Sequence, residues 1–248
     1  MIVNDSSVDL VTPTGPMRTY VYEPEAPRNT RGKFPGLILY SEIFQQTDPI
    51  RRLALQFASQ GHVVMVPEVY HEHEPPGTVL GYDDPGKDKG NAYKWKTKLK
   101  TFDDDARVLL DALQRHPACT GRLGVVGVCL GGHLAFRAAF NEEVRAACCM
   151  YPTDIHSGTL GEGKHADSLQ RAGDIRGELL MIFGRQDPHI PVEGRLAIHQ
   201  ALQHAGVLFT WHEFNGQHAF MRDEGSRYDA AVARQCYNLA FDLFARNL

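Results

Sequence analysis

A cysteine stands at the centre of Gly127-Val128-Cys129-Leu130-Gly131-Gly132, between an apolar run and a helical pattern. The spacing Gly-x-Nuc-x-Gly suits a sharp strand-to-helix turn that holds a nucleophile on strained backbone with its tip exposed. A side chain at Gly127 or Gly131 would strike the neighbouring strand or helix. Such a turn usually presents serine. Here the central atom is sulfur, so the chemistry to expect is thiolate attack on a carbonyl. Taken alone, a cysteine between glycines also reads as a small core residue.

Two later segments weigh against the core reading. Phe183-Gly184-Arg185-Gln186-Asp187-Pro188 follows the apolar run Leu179-Leu180-Met181-Ile182 and puts an acid in a turn past a strand end. Asn215-Gly216-Gln217-His218-Ala219-Phe220 follows the strand-like Leu208 to Phe214 and puts a histidine in a loop before the last helix. By itself Asp187 is a turn residue before proline, and His218 a polar loop residue. Together they give the chain order nucleophile, acid, histidine, which is that of α/β-hydrolase triads. His218 would take the thiol proton, and Asp187 would orient the ring and stabilise its charge. The helix after Cys129 adds a positive dipole end near the sulfur. The oxyanion needs preorganised donors, and the backbone N–H groups of Leu130 and Ile43 fit those roles.

Leu37-Ile38-Leu39-Tyr40-Ser41-Glu42-Ile43-Phe44 is a buried-type strand running into an acid. With the cysteine elbow, the Gly-x-x-Asp turn and the His-x-Phe loop, the chain resembles the dienelactone hydrolases (carboxymethylenebutenolidases). The resemblance continues through Val66-Pro67-Glu68-Val69-Tyr70, Ala92-Tyr93-Lys94 and Tyr151, and so covers most of the chain. It implies that Glu42 keeps the thiol protonated at rest until a substrate carboxylate displaces it. A carboxylate beside a thiolate is repelled, so one member of such a pair prefers to hold a proton. It also implies that Arg222, four residues after His218, binds the substrate carboxylate. Lys89 stands where family members place an arginine, four residues before Tyr93, and with Tyr93 it belongs to the implied substrate site. Lysine keeps the charge there and loses the planar fork, which puts substrate identity in doubt more than reaction type.

With 248 residues the chain suits one large α/β domain spanning 1–248, burying roughly 70–75% of its unfolded surface. A formal charge of −4 with no basic block argues against nucleic acid, and no apolar run approaches the roughly 20 residues of a membrane span. The first residues lack a signal pattern, and five irregularly spaced cysteines do not form a disulfide framework. Both features point to the cytoplasm. His71-Glu72-His73 invites a zinc reading, but the twelve histidines are scattered without an HExxH or CxxC frame, so neither metal nor organic cofactor is expected.

The elements that must position these residues alternate. Gly36 to Glu42, Val63 to Glu68, Arg122 to Val126, Val144 to Tyr151, Glu178 to Phe183 and Val207 to Phe214 read as strands, with Arg18 to Glu23 as an early edge strand or hairpin. Pro49 to Gln60, Asn91 to Arg115, Gly132 to Phe140, Val192 to His204 and Tyr228 to Ala245 read as helices. Glu72 to Gly90 and Asp154 to Asp174 read as loops able to wall a cleft. This alternation implies an α/β-hydrolase fold with a mostly parallel sheet covered on both faces. Ligands on such sheets bind beyond the carboxyl ends of the strands, where Glu42, Cys129, Asp187 and His218 all fall.

The expected activity is cysteine-dependent hydrolysis of a lactone or ester that carries a carboxylate, through a thioester acyl-enzyme. Two rivals use the same residues: a general carboxylesterase or thioesterase acting on uncharged substrates, and a catalytically silent fold serving as a binding module. Nothing in the sequence speaks to oligomeric state.

Overall fold

Short runs that are apolar on both sides of the pleat suit strands covered on two faces. The computed structural model, which describes residues 1–26 and 32–248, assembles such runs into one eight-stranded sheet. The strands are β1 (Val3–Thr12), β2 (Gly15–Pro24), β3 (Phe34–Tyr40), β4 (Val63–Pro67), β5 (Cys119–Val128), β6 (Val144–Met150), β7 (Glu178–Gly184) and β8 (Phe209–Phe214). Their order is β1-β2-β4-β3-β5-β6-β7-β8. β1 and β2 form an antiparallel hairpin, β2 pairs antiparallel with β4, and every later pairing is parallel.

Helices α1 (Asp48–Ser59), α2 (Asp84–Lys96), α3 (Leu99–Arg115), α4 (Leu130–Ala138), α5 (Val192–His204) and α6 (Ala230–Asn247) connect and cover the strands. Adjacent residues of β3 show the two faces. A Cβ on Gly36 would meet Leu113 of α3, whereas Leu37 lies on the side where Phe244 of α6 closes over Gly124. On that second side α1 meets α6 through Phe57, whose ring is 5.5 Å from Phe241 and 5.9 Å from Phe244. Alternation along the strand therefore places α3 and α6 on opposite faces.

Three features differ from the sequence expectation. The edge strand β1 carries no apolar stripe, because most of its residues are exposed, so periodicity gives no signal there. The single helix expected over Asn91 to Arg115 is two. At Thr97 the backbone turns extended, with φ −69° and ψ 132°. Its hydroxyl is shared between the Tyr93 carbonyl and His73, each at 3.0 Å, and its carbonyl accepts from Glu162 N–H at 2.8 Å. These tertiary partners stop the helix where propensity would continue it. Finally, α2 starts at Asp84, inside the segment expected to be loop. The Asp83 carboxylate caps it by accepting from Gly86 N–H at 2.8 Å, with proline in the first turn, a recognised helix-start pattern.

Candidate active site

The elbow follows from backbone crowding. A Cβ on Gly127 would lie 1.9 Å from the Gly131 carbonyl oxygen, and one on Gly131 would lie 2.2 Å from that of Tyr40 at the end of β3. Only glycine lets strand, turn and helix approach this closely. Between them Cys129 has φ 58° and ψ −122°, a conformation L-residues rarely adopt. The turn is held by Cys129 N–H donating to the Met150 carbonyl at 3.1 Å and by the Cys129 carbonyl accepting from Gly132 and Thr153 N–H. Leu130 is the first residue of α4, so its N–H has no acceptor within the helix and stays available beside the sulfur.

Asp187 lies past the end of β7 and is 4% exposed. Its Oδ1 accepts from His189 N–H at 2.8 Å, which leaves Oδ2 to accept from His218 Nδ1 at 2.6 Å. That bond fixes the tautomer and turns the other ring nitrogen away from the acid. His218, in the loop after β8, shares the wall of one cleft with Cys129. Its ring is clasped edge-on by Tyr151 at 5.2 Å and His189 at 4.6 Å. Burial disfavours the charged ring, but the negative charge of a Cys129 thiolate and the hydrogen bond with Asp187 outweigh it and push the His218 pKa up to about 10.

Glu42 is 2% exposed at the end of β3. Burial pushes its carboxyl pKa up, against opposing contributions from Arg222, His218 and Tyr82. Its polar partners are Tyr82 Oη, which donates to Oε2 at 3.3 Å, and Arg222 Nη1, 3.8 Å from the same oxygen. The Arg222 guanidinium lies 4.2 Å from the centre of the Tyr82 ring, and its Nε donates to the Glu224 carbonyl at 3.1 Å. Tyr82 had no sequence signal, being one aromatic in an unpatterned loop.

One cleft of about 930 Å³ is lined by Cys129, His218, Glu42, Ile43 and Arg222. The loop expected to wall it does so through Tyr82 and Asp83, and the start of α2 continues that wall. Lys89 and Tyr93 are placed elsewhere. Lys89 Nζ is 2.5 Å from Glu74 Oε1, and Tyr93 Oη donates to the same carboxylate. The reason is helical phase. The cleft-lining residues of α2 are Asp84, Lys87, Asn91 and Lys94, at spacings of three, four and three, while at about 100° per residue Lys89 and Tyr93 fall on the opposite side. With α2 taken to begin at Asn91, that phase was not readable. His71 and His73 also face other partners: His71 Nε2 pairs with Asp105 at 3.0 Å and His73 Nε2 with Thr97. Among the described residues no group of three or more His, Cys, Asp or Glu is placed to hold a metal ion, and no helix is long and apolar enough to cross a membrane.

Known proteins share this arrangement of chain. A profile of the dienelactone hydrolase family matches residues 17–248. A provisionally named carboxymethylenebutenolidase of Saccharomyces cerevisiae is 43% identical over 256 residues, covering 100% of this chain and 93% of its own length. The carboxymethylenebutenolidase of Pseudomonas putida is 26% identical over 214 residues, with 85% of each chain covered. A crystal structure of a provisionally named dienelactone hydrolase from Klebsiella pneumoniae superposes with a TM-score of 0.84 at 23% identity, covering 99% of this chain and 100% of the other.

Proposed function

The chain belongs to the dienelactone hydrolase family, and on that premise we propose that it cleaves a carboxylate-bearing lactone or ester through a thioester on Cys129. Family membership makes it a carboxylic ester hydrolase. The observation that carries the finer reading is the hydrogen bond that aligns His218 on Asp187, on the wall of a cleft that also holds Cys129 and Arg222.

The substrate carboxylate pairs with Arg222 and competes with Glu42 for it. Glu42, whose burial already favours the protonated form, accommodates the exchange by taking up a proton from solvent. His218 takes the Cys129 thiol proton, and the thiolate then attacks the scissile carbonyl carbon, forming the C–S bond. Negative charge moves to the carbonyl oxygen, where the N–H groups of Leu130 and Ile43 receive it. As the C–O bond of the ester breaks, His218 gives its proton to the leaving oxygen. Water, deprotonated by neutral His218, attacks the thioester carbon. The acid product departs and the sulfur leaves as thiolate beside the imidazolium. Asp187 keeps the ring in register throughout. All five cysteines are unpaired and buried, which supports a reducing compartment such as the cytoplasm.

The test has two parts. Mass spectrometry of protein quenched during turnover of a dienelactone should show an adduct of substrate mass on the peptide holding Cys129. A steady-state comparison of cis- and trans-dienelactones with neutral lactones should favour the charged compounds. An adduct on another residue, or full turnover by Cys129→Ala, would refute the mechanism.

A further inference from the structure

Five residues beyond Lys89, Lys94 is in a different setting. It lines the cleft with Cys129 and His218, and its side chain is 7% exposed. Nζ donates to Asp154 Oδ2 at 2.9 Å, its one hydrogen-bond acceptor among the described residues. The Trp95 ring covers part of it, 4.7 Å from Nζ. An ammonium has three donors, so others remain for an oxygen in the cleft. Asp154, also on the cleft wall, is held at φ 63°, and its Oδ1 accepts from Thr159 at 2.7 Å. Despite burial, Lys94 and Thr159 keep its carboxyl below the usual range, so it stays charged. Burying such a pair is costly unless further hydrogen bonds complete it.

Strand order locates the pair relative to the chemistry. Glu42 follows β3 and Asp154 follows β6, with β5 and Cys129 between them. Two strand spacings amount to roughly 10 Å. The cleft therefore has polar groups on both flanks of the sulfur, and the two flanks differ in charge. Around Arg222 the carboxylate partner is loose, 3.8 Å from Nη1, and burial disfavours its charge, so the guanidinium is the less compensated cation. Around Lys94 the ammonium and the Asp154 carboxylate, 2.9 Å apart, offset each other. A second carboxylate there would meet Asp154. A hydroxyl or amide could accept from Lys94 and donate to Asp154.

We propose that the Lys94–Asp154 pair is a second substrate subsite, binding a hydroxyl or amide on the part of the ester or lactone that lies across the scissile carbonyl from the carboxylate held by Arg222. This deepens the reading of Cys129 and Arg222 given above and rests on it. The substrate class it names is a carboxylate ester or lactone with a neutral hydrogen-bonding group at its far end.

Four esters test it, sharing one carboxylate-bearing half and ending on the other side in hydroxyl, primary amide, methyl or carboxylate. With the wild-type enzyme, hydroxyl and amide should raise kcat/KM about 10-fold or more over methyl. The carboxylate terminus should be no better than methyl. The double variant Lys94→Met, Asp154→Asn removes both charges together, so no lone buried charge remains, and it should level the series. Equal values for hydroxyl and methyl in the wild type, or a preference that survives in a folded double variant, would overturn the subsite. Calorimetric titration of Cys129→Ala with the same four compounds needs neither turnover nor the double variant, and should give the same order of Kd. If no wild-type turnover occurs while that order holds, the thioester reading fails and the subsite stands. If turnover occurs and the order is flat, the reverse is true.

Discussion

Each central residue of the site owes its state to one or two neighbours. Arg222 is held by the Tyr82 ring and the Glu224 carbonyl, so its guanidinium is preorganised and its Glu42 partner is loose at 3.8 Å. Arg222→Ala should therefore weaken kcat/KM for a carboxylate-bearing lactone by about 1.5–3 kcal/mol, the range for a hydrogen bond to a charged group. A neutral ester of similar size should lose far less, and equal losses on the two would remove the charge-reading role. Glu42 offers a pH test. Its folded pKa is raised by burial, so the folded state holds a proton that the unfolded chain releases near pH 4.5. Its unfavourable contribution is absent at lower pH and grows as pH rises from that value through the folded pKa. Glu42→Gln keeps an acceptor for Tyr82 and removes the ionisation. The variant should melt higher than wild type at pH 7, with the gap closing toward pH 4. A gap independent of pH would show that packing, rather than charge, sets the difference.

At the scale of elements, the elbow is a place where three backbones nearly touch. Gly131 is its tightest point against β3, since an added Cβ would lie 2.2 Å from the Tyr40 carbonyl oxygen and 2.5 Å from that of Ser41. No rotamer relieves a clash with backbone, so α4 or the end of β3 must move. Gly131→Ala should cost about 3 kcal/mol or more. For a chain of this size that lowers Tm by roughly 6–12 °C. Because Glu42 and Ile43 follow directly on Tyr40 and Ser41, whatever shift occurs also displaces Ile43, the proposed second oxyanion donor. Loss of kcat in the folded variant, read at a temperature below its melting point, should accompany the loss of stability. A stable and fully active variant would mean the turn is less constrained than its geometry indicates.

Across the whole molecule, one thiol of five is set apart by environment. Cys148 and Cys149 lie inside β6, Cys236 inside α6 and Cys119 at the start of β5, and burial raises all four, Cys236 to about 12. Cys129 alone borders the cleft and faces His218. A thiolate near a cation alkylates, whereas buried thiols are inert. With a carboxylate ligand present, iodoacetamide should add to Cys129 in the native protein and to the other four only in denaturant, as counted by intact mass and peptide mapping. Native labelling of Cys148 or Cys149 would imply that the sheet opens far more readily than a covered parallel sheet should.

The positions of Cys129, Asp187 and His218, the proposed nucleophile, acid and base, were legible in the sequence because each sits at a strand end whose apolar run, glycine spacing and chain order are local patterns. The parallel sheet and most helix positions were legible for the same reason: hydrophobic periodicity is written residue by residue. Where local pattern and tertiary contact disagreed, the structure decided. Thr97 ends α2 because His73 and Glu162, distant in sequence, take its hydroxyl and carbonyl. β1 exists because β2 offers it a partner, although its own residues carry no apolar stripe. Lys89 kept the charge that the family resemblance asks for, yet the phase of α2 turns it to Glu74 and brings Lys94 to the cleft instead. Charge and residue type are properties of the sequence. Direction and burial, which decide what a charge can touch, are properties of the packed helix and of the loops around it.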